Sequence, residues 1–457
     1  MDYISTRGAA LPATFPQVIL DGLAPDGGLY VPRVLPRLEL ATLNRLRGAD
    51  FVETALAVLT PFAAGTIAAD RLRAILRGAY AWFSHPAVAP LVEVAPRRWV
   101  LELFHGPTLA FKDHAMQILG PLMGHFLAET DRRAFVLCAT SGDTGGAALA
   151  GLEGLDRVRA LVLYPQGGVS AFQEAQMHAL AGPTRHVVAV EGSFDDCQRL
   201  VKQALGDASL RERYGLAAVN SVNWGRIAAQ AVYYAHASLR LSRAGEPVDF
   251  AVPTGNFGNA YSGLIARRMG FPVGRVLVAT NDNDALVRVA EEGVLSPGGV
   301  LRTNTPAMDI QLASNFERML FDLGANHDGA APVAGLLGGA PLPEKMRRGL
   351  RDSLSFARVS QPATLARMKT LFDQTGYIAD PHTALALEAA AGIDAGKRHL
   401  VTLATAHPAK FAVTVKLNIG LSPHLTGDRW PAPATHTASI AATSAAVLAK
   451  IGAISDT

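Results

Sequence analysis

Six short apolar runs recur along the chain, at residues 134–138, 160–163, 186–190, 249–252, 275–278 and 399–403, with helical stretches between them. Continuous apolar runs of this length read as strands buried on both faces, and strands separated by helices pair in parallel because a parallel neighbour requires a crossover. The pattern therefore specifies an α/β fold in three layers, with helices on both faces of a parallel sheet. At 457 residues, 49% of them hydrophobic and 18% charged, the chain can form two or three units with a large core, and is neither disordered nor fibrous.

Before the first run, residues 39–83 read as helical, with Leu40, Leu43, Leu46, Leu72, Ile75 and Leu76 at helical spacing. Gly22, Pro25, Gly27 and Gly28 mark a turn-rich lead-in. Residues 324–343, rich in Gly, Ala and Pro, read as a loop or linker. After residue 428 Ala, Thr and Ser dominate, with one weak helical segment near 441–451. The expected organisation is a helical N-terminal domain at 1–90, a core at 91–425 whose smaller subdomain covers about 115–215, and a tail at 426–457.

Several function classes drop out on composition. The formal net charge is +3 with no block of like charges, which leaves no footprint for nucleic acid. Cys138 and Cys197 form no C-x-x-C pair, which excludes a disulfide scaffold and a cysteine-based zinc site. Residues 1–8 lack the basic-then-apolar pattern of a signal peptide, and no run of about eighteen apolar residues is free of charge or proline. A cytoplasmic protein with no membrane span is expected.

Three of the strands run directly into turns of small and polar residues. These are T-S-G-D-T-G-G (140–146), P-T-G-N-F-G-N (253–259) and A-T-A-H-P-A-K (404–410). Strand carboxyl ends are where open α/β sheets bind ligands, and the free N–H groups of a following helix favour an anion. Glycines that merely make tight turns would account for one such loop, less easily for three. No G-x-G-x-x-G follows a strand, and the nearest approach to a P-loop, G-I-D-A-G-K-R (392–398), is one residue short and lacks the Ser or Thr. H-E-x-x-H and G-x-S-x-G are absent.

Lys112 stands in H-G-P-T-L-A-F-K-D-H (105–114), where an apolar helix begins. A lysine there faces the positive end of the helix dipole, and apolar neighbours such as Phe111 add desolvation; both favour the neutral amine that imine formation needs. From the residues alone, a solvated lysine paired with Asp113 is the simpler alternative.

The segments H-G-P-T-L-A-F-K-D, T-S-G-D-T-G and P-T-G-N-F-G, together with N-S-V-N-W-G-R (220–226), D-P-H-T (380–383) and A-T-A-H-P-A-K-F (404–411), resemble threonine synthases of the bacterial and fungal type. Y-I-S-T-R-G and G-L-A-P-D-G-G-L-Y-V-P (22–32) resemble that family's N-terminal segment, so the likeness extends from the first residues to about 425. It implies the tryptophan-synthase-β-like (fold type II) architecture and pyridoxal 5'-phosphate as cofactor. By the same resemblance, Lys112 carries the cofactor as a Schiff base, and Gly255, Asn256, Phe257, Gly258 and Asn259 form the loop that grips its phosphate. Many relatives of that family have Asp at the position of Asn259. Ser141, Gly142, Asp143 and Thr144 match the loop that holds the substrate carboxylate and flanks the pyridine ring. Thr405 matches the hydroxyl residue facing the pyridine nitrogen, a partner that leaves this nitrogen largely unprotonated.

The implied reaction converts O-phospho-L-homoserine and water to L-threonine and phosphate, with Lys112 moving protons at Cα and Cβ. It requires a second anion pocket, for which Arg226 and Lys410 are candidates, with Asn223 and Ser141 assisting. The competing reading for Arg226 is a salt bridge to a surface carboxylate. A serine or threonine dehydratase or a phospholyase of the same fold is the rival enzyme, and a non-catalytic binding module the rival from another class. His114, His382 and His407 lack a second ligand at metal-binding spacing, so structural roles are expected and no metal. The expected partner is a small-molecule substrate, and the expected state a monomer or homodimer.

Overall fold

The computed structural model describes residues 1–243, 246–324, 330–394, 396–423 and 439–455. Its strands are β1 (Tyr3–Ser5), β2 (Tyr30–Pro32), β3 (Leu91–Ala95), β4 (Arg98–Glu102), β5 (Ala134–Ala139), β6 (Val158–Pro165) and β7 (Arg185–Glu191). They continue with β8 (Leu216–Ala217), β9 (Val248–Pro253), β10 (Val273–Thr280), β11 (Ser355–Arg358), β12 (Leu400–Ala404) and β13 (Ser439–Ala441). All six apolar runs are strands. They divide between two sheets, ordered β11-β10-β9-β12-β4-β3 and β13-β7-β6-β5-β8, while β1 and β2 pair separately. Every pairing in the two large sheets is parallel except that of the β3–β4 hairpin.

Each sheet is covered by helices, and the central strands β5, β9 and β12 are buried along their whole length. One crossing of helices fixes the site. The helix Asp113–Glu129, which starts beside Lys112, packs on the helix Asp143–Gly151. A Cβ on Gly120 would lie 1.8 Å from the Gly151 carbonyl oxygen, and one on Gly151 would lie 2.4 Å from that of Met116. Only glycine permits this approach, which seats the first half of one helix against the C-terminal end of the other.

The N-terminal helices Leu40–Leu46, Phe51–Leu59 and Ala69–Tyr80 lie where the leucine spacing placed them. Leu43, Leu46, Leu72, Ile75 and Leu76 are buried, whereas Leu40 faces solvent. The segment is tied to the core by polar bonds as well. Thr6 donates to the Glu317 carboxylate at 2.6 Å, and Arg318, fully buried, donates to the carbonyls of Tyr30 and Val222.

Two expectations change. Residues 330–337 are not loop but a helix, Ala330–Leu337, because Val333 and Leu336 supply a buried stripe against the helix Phe316–Gly324. Residues 325–329 lie outside the described residues. The C-terminal stretch is more than one weak helix. β13 extends the smaller sheet, and the helix Ser444–Ser455 buries Val447, Ile451 and Ile454 against Phe135, Leu161 and Leu200. Burial of each such side chain contributes roughly 1.5–3 kcal/mol. Residues 424–438 of the expected tail and its junction are outside the described residues.

Candidate active site

The carboxyl ends of β5, β9 and β12 open onto one cleft of about 190 Å³. Its wall includes Thr140, Ser141 and Thr144 from the first loop, Pro253 through Asn259 from the second and Thr405 from the third, with Lys112 and Arg226. The third loop is fixed beside Lys112 because the Thr405 carbonyl accepts from the Phe111 N–H at 2.9 Å and Ala406 bridges Ala110.

Lys112 does not pair with Asp113. The Asp113 carboxylate turns back to the Thr108 N–H (2.8 Å) and hydroxyl (2.5 Å), and burial raises its pKa to about 6. The Lys112 ammonium lies 3.6 Å from Asp143 instead. Burial pulls the Lys112 pKa below that of a free lysine; Asp143 opposes the shift, while Arg226 and Lys410 reinforce it. Asp143 and Gly142 sit behind the cleft wall rather than on it. Burial on its own would raise the Asp143 carboxyl, but Lys410 and Lys112, with hydrogen bonds from Lys410 and Gln173, hold it far below the usual carboxylate range. Gly142 ties the loop, its N–H and that of Gly145 both donating to the Thr140 hydroxyl. The N–H groups of Ser141, Asp143 and Thr144 are left without an acceptor in the chain among the described residues.

Lys410 is not on the cleft wall. Its ammonium is fully buried, 2.8 Å from Asp143, and also donates to the Thr108 carbonyl (2.8 Å) and Gln176 (3.2 Å). All its donors are satisfied inside the protein, so the expectation of a phosphate ligand gives way to a counterion for Asp143. Asn223 is likewise withdrawn. It caps the helix Trp224–Leu241, its side-chain oxygen accepting from the Gly225 N–H, while its amide donates to the carbonyls of Ile19 and Ala218. An Asn just before a helix start is a capping signal, and the sequence carried it.

The β9 loop is built for an anion. The N–H groups of Gly255, Asn256, Phe257, Gly258 and Asn259 meet no acceptor in the chain among the described residues, and they lie at the start of the helix Gly258–Arg268. Phe257 holds a left-handed φ of 64°, a conformation that costs a non-glycine residue of order 1–3 kcal/mol and is fixed here by its ring packed edge-on against Phe316. Gly255 lets the loop approach Ala307, since a Cβ there would lie 2.3 Å from the Ala307 carbonyl oxygen. The Asn259 side-chain oxygen accepts from the hydroxyls of Tyr233 (2.5 Å) and Tyr234 (2.9 Å), which anchors the helix start. Asn256 bonds Ser314 at 3.2 Å.

Arg226 is buried in the helix Trp224–Leu241 with no carboxylate partner among the described residues. It donates to the Val219 carbonyl at 3.3 Å, its Nε has no acceptor, and burial pulls its pKa down to about 10. A surface salt bridge is excluded by that burial. The cleft thus presents three sets of anion donors: the β9-loop amides, the amides at 141–144, and the Arg226 guanidinium.

Comparison with known proteins agrees along the whole chain. Family models described as threonine synthase N terminus, pyridoxal-phosphate dependent enzyme, and threonine synthase, C-terminal match residues 2–80, 86–405 and 383–439. A threonine synthase of Pseudomonas aeruginosa is 44% identical over 439 residues, covering 93% of this chain and 92% of that one. The chain belongs to the threonine synthase family. The crystal structure of a PLP-bound threonine synthase from Brucella melitensis matches with a TM-score of 0.94 at 42% identity, covering 100% of both chains. That of the Escherichia coli threonine synthase matches at 0.86 and 32%, covering 99% of this chain and 100% of that one. The fold is that of the pyridoxal-phosphate-dependent threonine synthases, and threonine formation is its activity.

His382, expected to be structural, lies on the wall and braces it. His382 donates from Nδ1 to the Asp380 carboxylate at 2.8 Å, and its Nε2 accepts from the Ala307 N–H at 3.3 Å, so D-P-H-T braces the segment facing the β9 loop. Gln230, one turn after Arg226, and Lys202 also line the cleft. No motif flagged these two. Among the described residues no three His, Cys, Asp or Glu side chains group to hold a metal ion, and no helix is long and apolar enough to cross a membrane.

Proposed function

We propose that the enzyme converts O-phospho-L-homoserine and water to L-threonine and inorganic phosphate, with the cofactor joined to Lys112 and the leaving phosphate received by Arg226. The observation that carries this reading is the buried Arg226 guanidinium, which faces the cleft without a carboxylate and separately from the amides of the β9 loop. The N–H groups of residues 255–259 would hold the cofactor phosphate, Thr405 would face the pyridine nitrogen, and Ser141 and Thr144 with their free N–H groups would hold the substrate carboxylate. Pyridoxal phosphate supplies, when bound, an electron sink for negative charge at the substrate's α and β carbons.

The remaining work falls to the chain. Lys112, kept toward its neutral form by burial, takes protons from Cα and Cβ. Cleavage of the Cγ–O bond leaves phosphate on Arg226, whose paired N–H groups suit a phosphoryl oxygen edge. Cγ gains the proton taken from Cβ and becomes the methyl group, water adds to Cβ as hydroxyl while its other proton goes to the released phosphate, and Lys112 returns the Cα proton to Cα. Asp143, buried between Lys112 and Lys410, holds the Lys112 side chain at the cleft without occupying it. The chain is read as an N-terminal domain at 1–90, a catalytic core at 91–425 and a C-terminal tail, acting in the cytoplasm as a monomer or homodimer.

The test is Arg226→Ala in holoenzyme. Turnover of phosphohomoserine falls by roughly a hundredfold or more, in line with the loss of a charge-assisted phosphate contact, while cofactor absorbance stays intact. Full activity in the variant, or a parent enzyme that deaminates serine and ignores phosphohomoserine, overturns the reading.

A further inference from the structure

The cleft wall carries no carboxylate among the described residues, and its Lys and Arg side chains are Lys112, Arg226 and Lys202. A phosphate monoester brings roughly −1.5 to −2 charges at neutral pH. Arg226 supplies one positive charge. Lys112 is either joined to the cofactor or carrying the Cα and Cβ protons beside Asp143 at 3.6 Å under the reading above, and Lys410 is spent on Asp143 at 2.8 Å behind the wall. Roughly a half to one negative charge is left unmatched, in a cleft where an unpaired anion is costly. Lys202 is the remaining ammonium.

Its position follows from the helix Phe194–Gly206, capped by Ser193, whose hydroxyl accepts from the Asp196 N–H at 3.2 Å. Cys197, Leu200, Val201 and Ala204 pack into the core of the smaller sheet and fix the helix's rotation. Gln198 and Lys202, four residues apart and so stacked on one face, both line the cleft. Arg199 on the same helix is paired with Asp196 at 3.0 Å, whereas Lys202 has no carboxylate partner among the described residues. The Lys202 head is exposed, and a flexible four-carbon stem can follow a phosphate from its bound position toward solvent.

We infer that Lys202, with Gln198 one turn before it, is the second cationic ligand of the substrate phosphate and completes a two-cation seat with Arg226. The inference rests on phosphohomoserine being the substrate. It is tested on holoenzyme by calorimetric titration with inorganic phosphate and, separately, with L-homoserine, which shares the amino-acid end and lacks the phosphate. In Lys202→Met the Kd for phosphate and the KM for phosphohomoserine rise roughly ten- to a hundredfold, as expected for one charge-assisted contact. Homoserine binding stays within about twofold, because the contact removed is made to phosphate alone. Lys202→Arg restores most of the phosphate affinity. Equal weakening of phosphate and homoserine means a structural role and overturns the inference. Unchanged phosphate affinity in Lys202→Met, alongside a loss in Arg226→Ala, overturns it while the substrate assignment stands. If neither variant changes phosphate affinity, the substrate assignment has failed and the inference with it.

Discussion

Lys410→Met separates a buried counterion from a phosphate ligand. In the parent, Lys410 is fully buried, pairs with Asp143 at 2.8 Å and donates to the Thr108 carbonyl at 2.8 Å and to Gln176 at 3.2 Å. Methionine keeps most of the volume and removes the charge, so the cavity contribution is small. Asp143 is then left with Lys112 at 3.6 Å and the Gln173 amide at 2.9 Å. Breaking a buried pair by deleting one member costs about 3–5 kcal/mol, since the other charge stays desolvated. Gln176 Oε1 also loses its Lys410 donor, while the Thr108 carbonyl keeps the Gln176 amide at 3.3 Å, so the expected value stays within that range. There is a second consequence. Lys410 is one of the charges that lower the Lys112 pKa, so its removal lets Lys112 hold its proton to higher pH. The rate at which apoenzyme takes up cofactor therefore shifts its pH profile upward. Urea denaturation of apoenzyme measures the first effect and stopped-flow cofactor uptake against pH the second. A stability loss below about 1 kcal/mol, combined with weakened inhibition by phosphate, would refute this account and return Lys410 to the substrate.

Gly255→Ala places a Cβ 2.3 Å from the Ala307 carbonyl oxygen, so the β9 loop must shift; cofactor affinity, read by absorbance titration, falls roughly ten- to a hundredfold, and an unchanged Kd would move the phosphate elsewhere. His114 is enclosed by the rings of Phe51, Tyr80, Phe83 and Tyr233, and burial lowers its pKa from 6.5 to about 3. Because the folded pKa is depressed, the neutral ring's stabilisation is complete above pH 6.5 and is lost as the pH falls toward 3, by up to about 1.4 kcal/mol per pH unit. Urea denaturation across that window gives a shallower pH dependence in His114→Phe than in the parent; identical slopes would contradict it. Gly120→Ala forces the two site helices apart, and both stability and cofactor uptake fall; a neutral result would mean that the glycine crossing does not seat the two helices.

Much of this molecule was legible in its sequence. The six apolar runs are all parallel strands, because burial on both faces leaves a continuous hydrophobic signature that no helix of that length shares. The three loops meet in one cleft because each lies at a strand's carboxyl end. What stayed hidden was mostly long-range. Lys410 finds Asp143 across 267 positions of sequence (410 minus 143), and nothing local to either residue announces the pairing. Asn223 and Arg226 share a turn, yet capping geometry turns the amide away from the cleft, a conflict that the N-cap preference of Asn could have settled. The helix at 330–337 was masked by Gly and Pro around a short apolar stripe, and the C-terminal helix by an Ala-rich composition with weak amphipathic contrast. Lys202 lies on an ordinary amphipathic helix, where only the fold reveals which edge meets the cleft.

Lys112 is the residue proposed to be joined to the cofactor. Borohydride reduction of holoenzyme, followed by proteolysis and mass spectrometry, tests it directly. Reduced cofactor is expected on the peptide carrying Lys112, and in Lys112→Ala no covalently retained cofactor at all. Reduced cofactor on a peptide carrying Lys202 or Lys410 instead would contradict it.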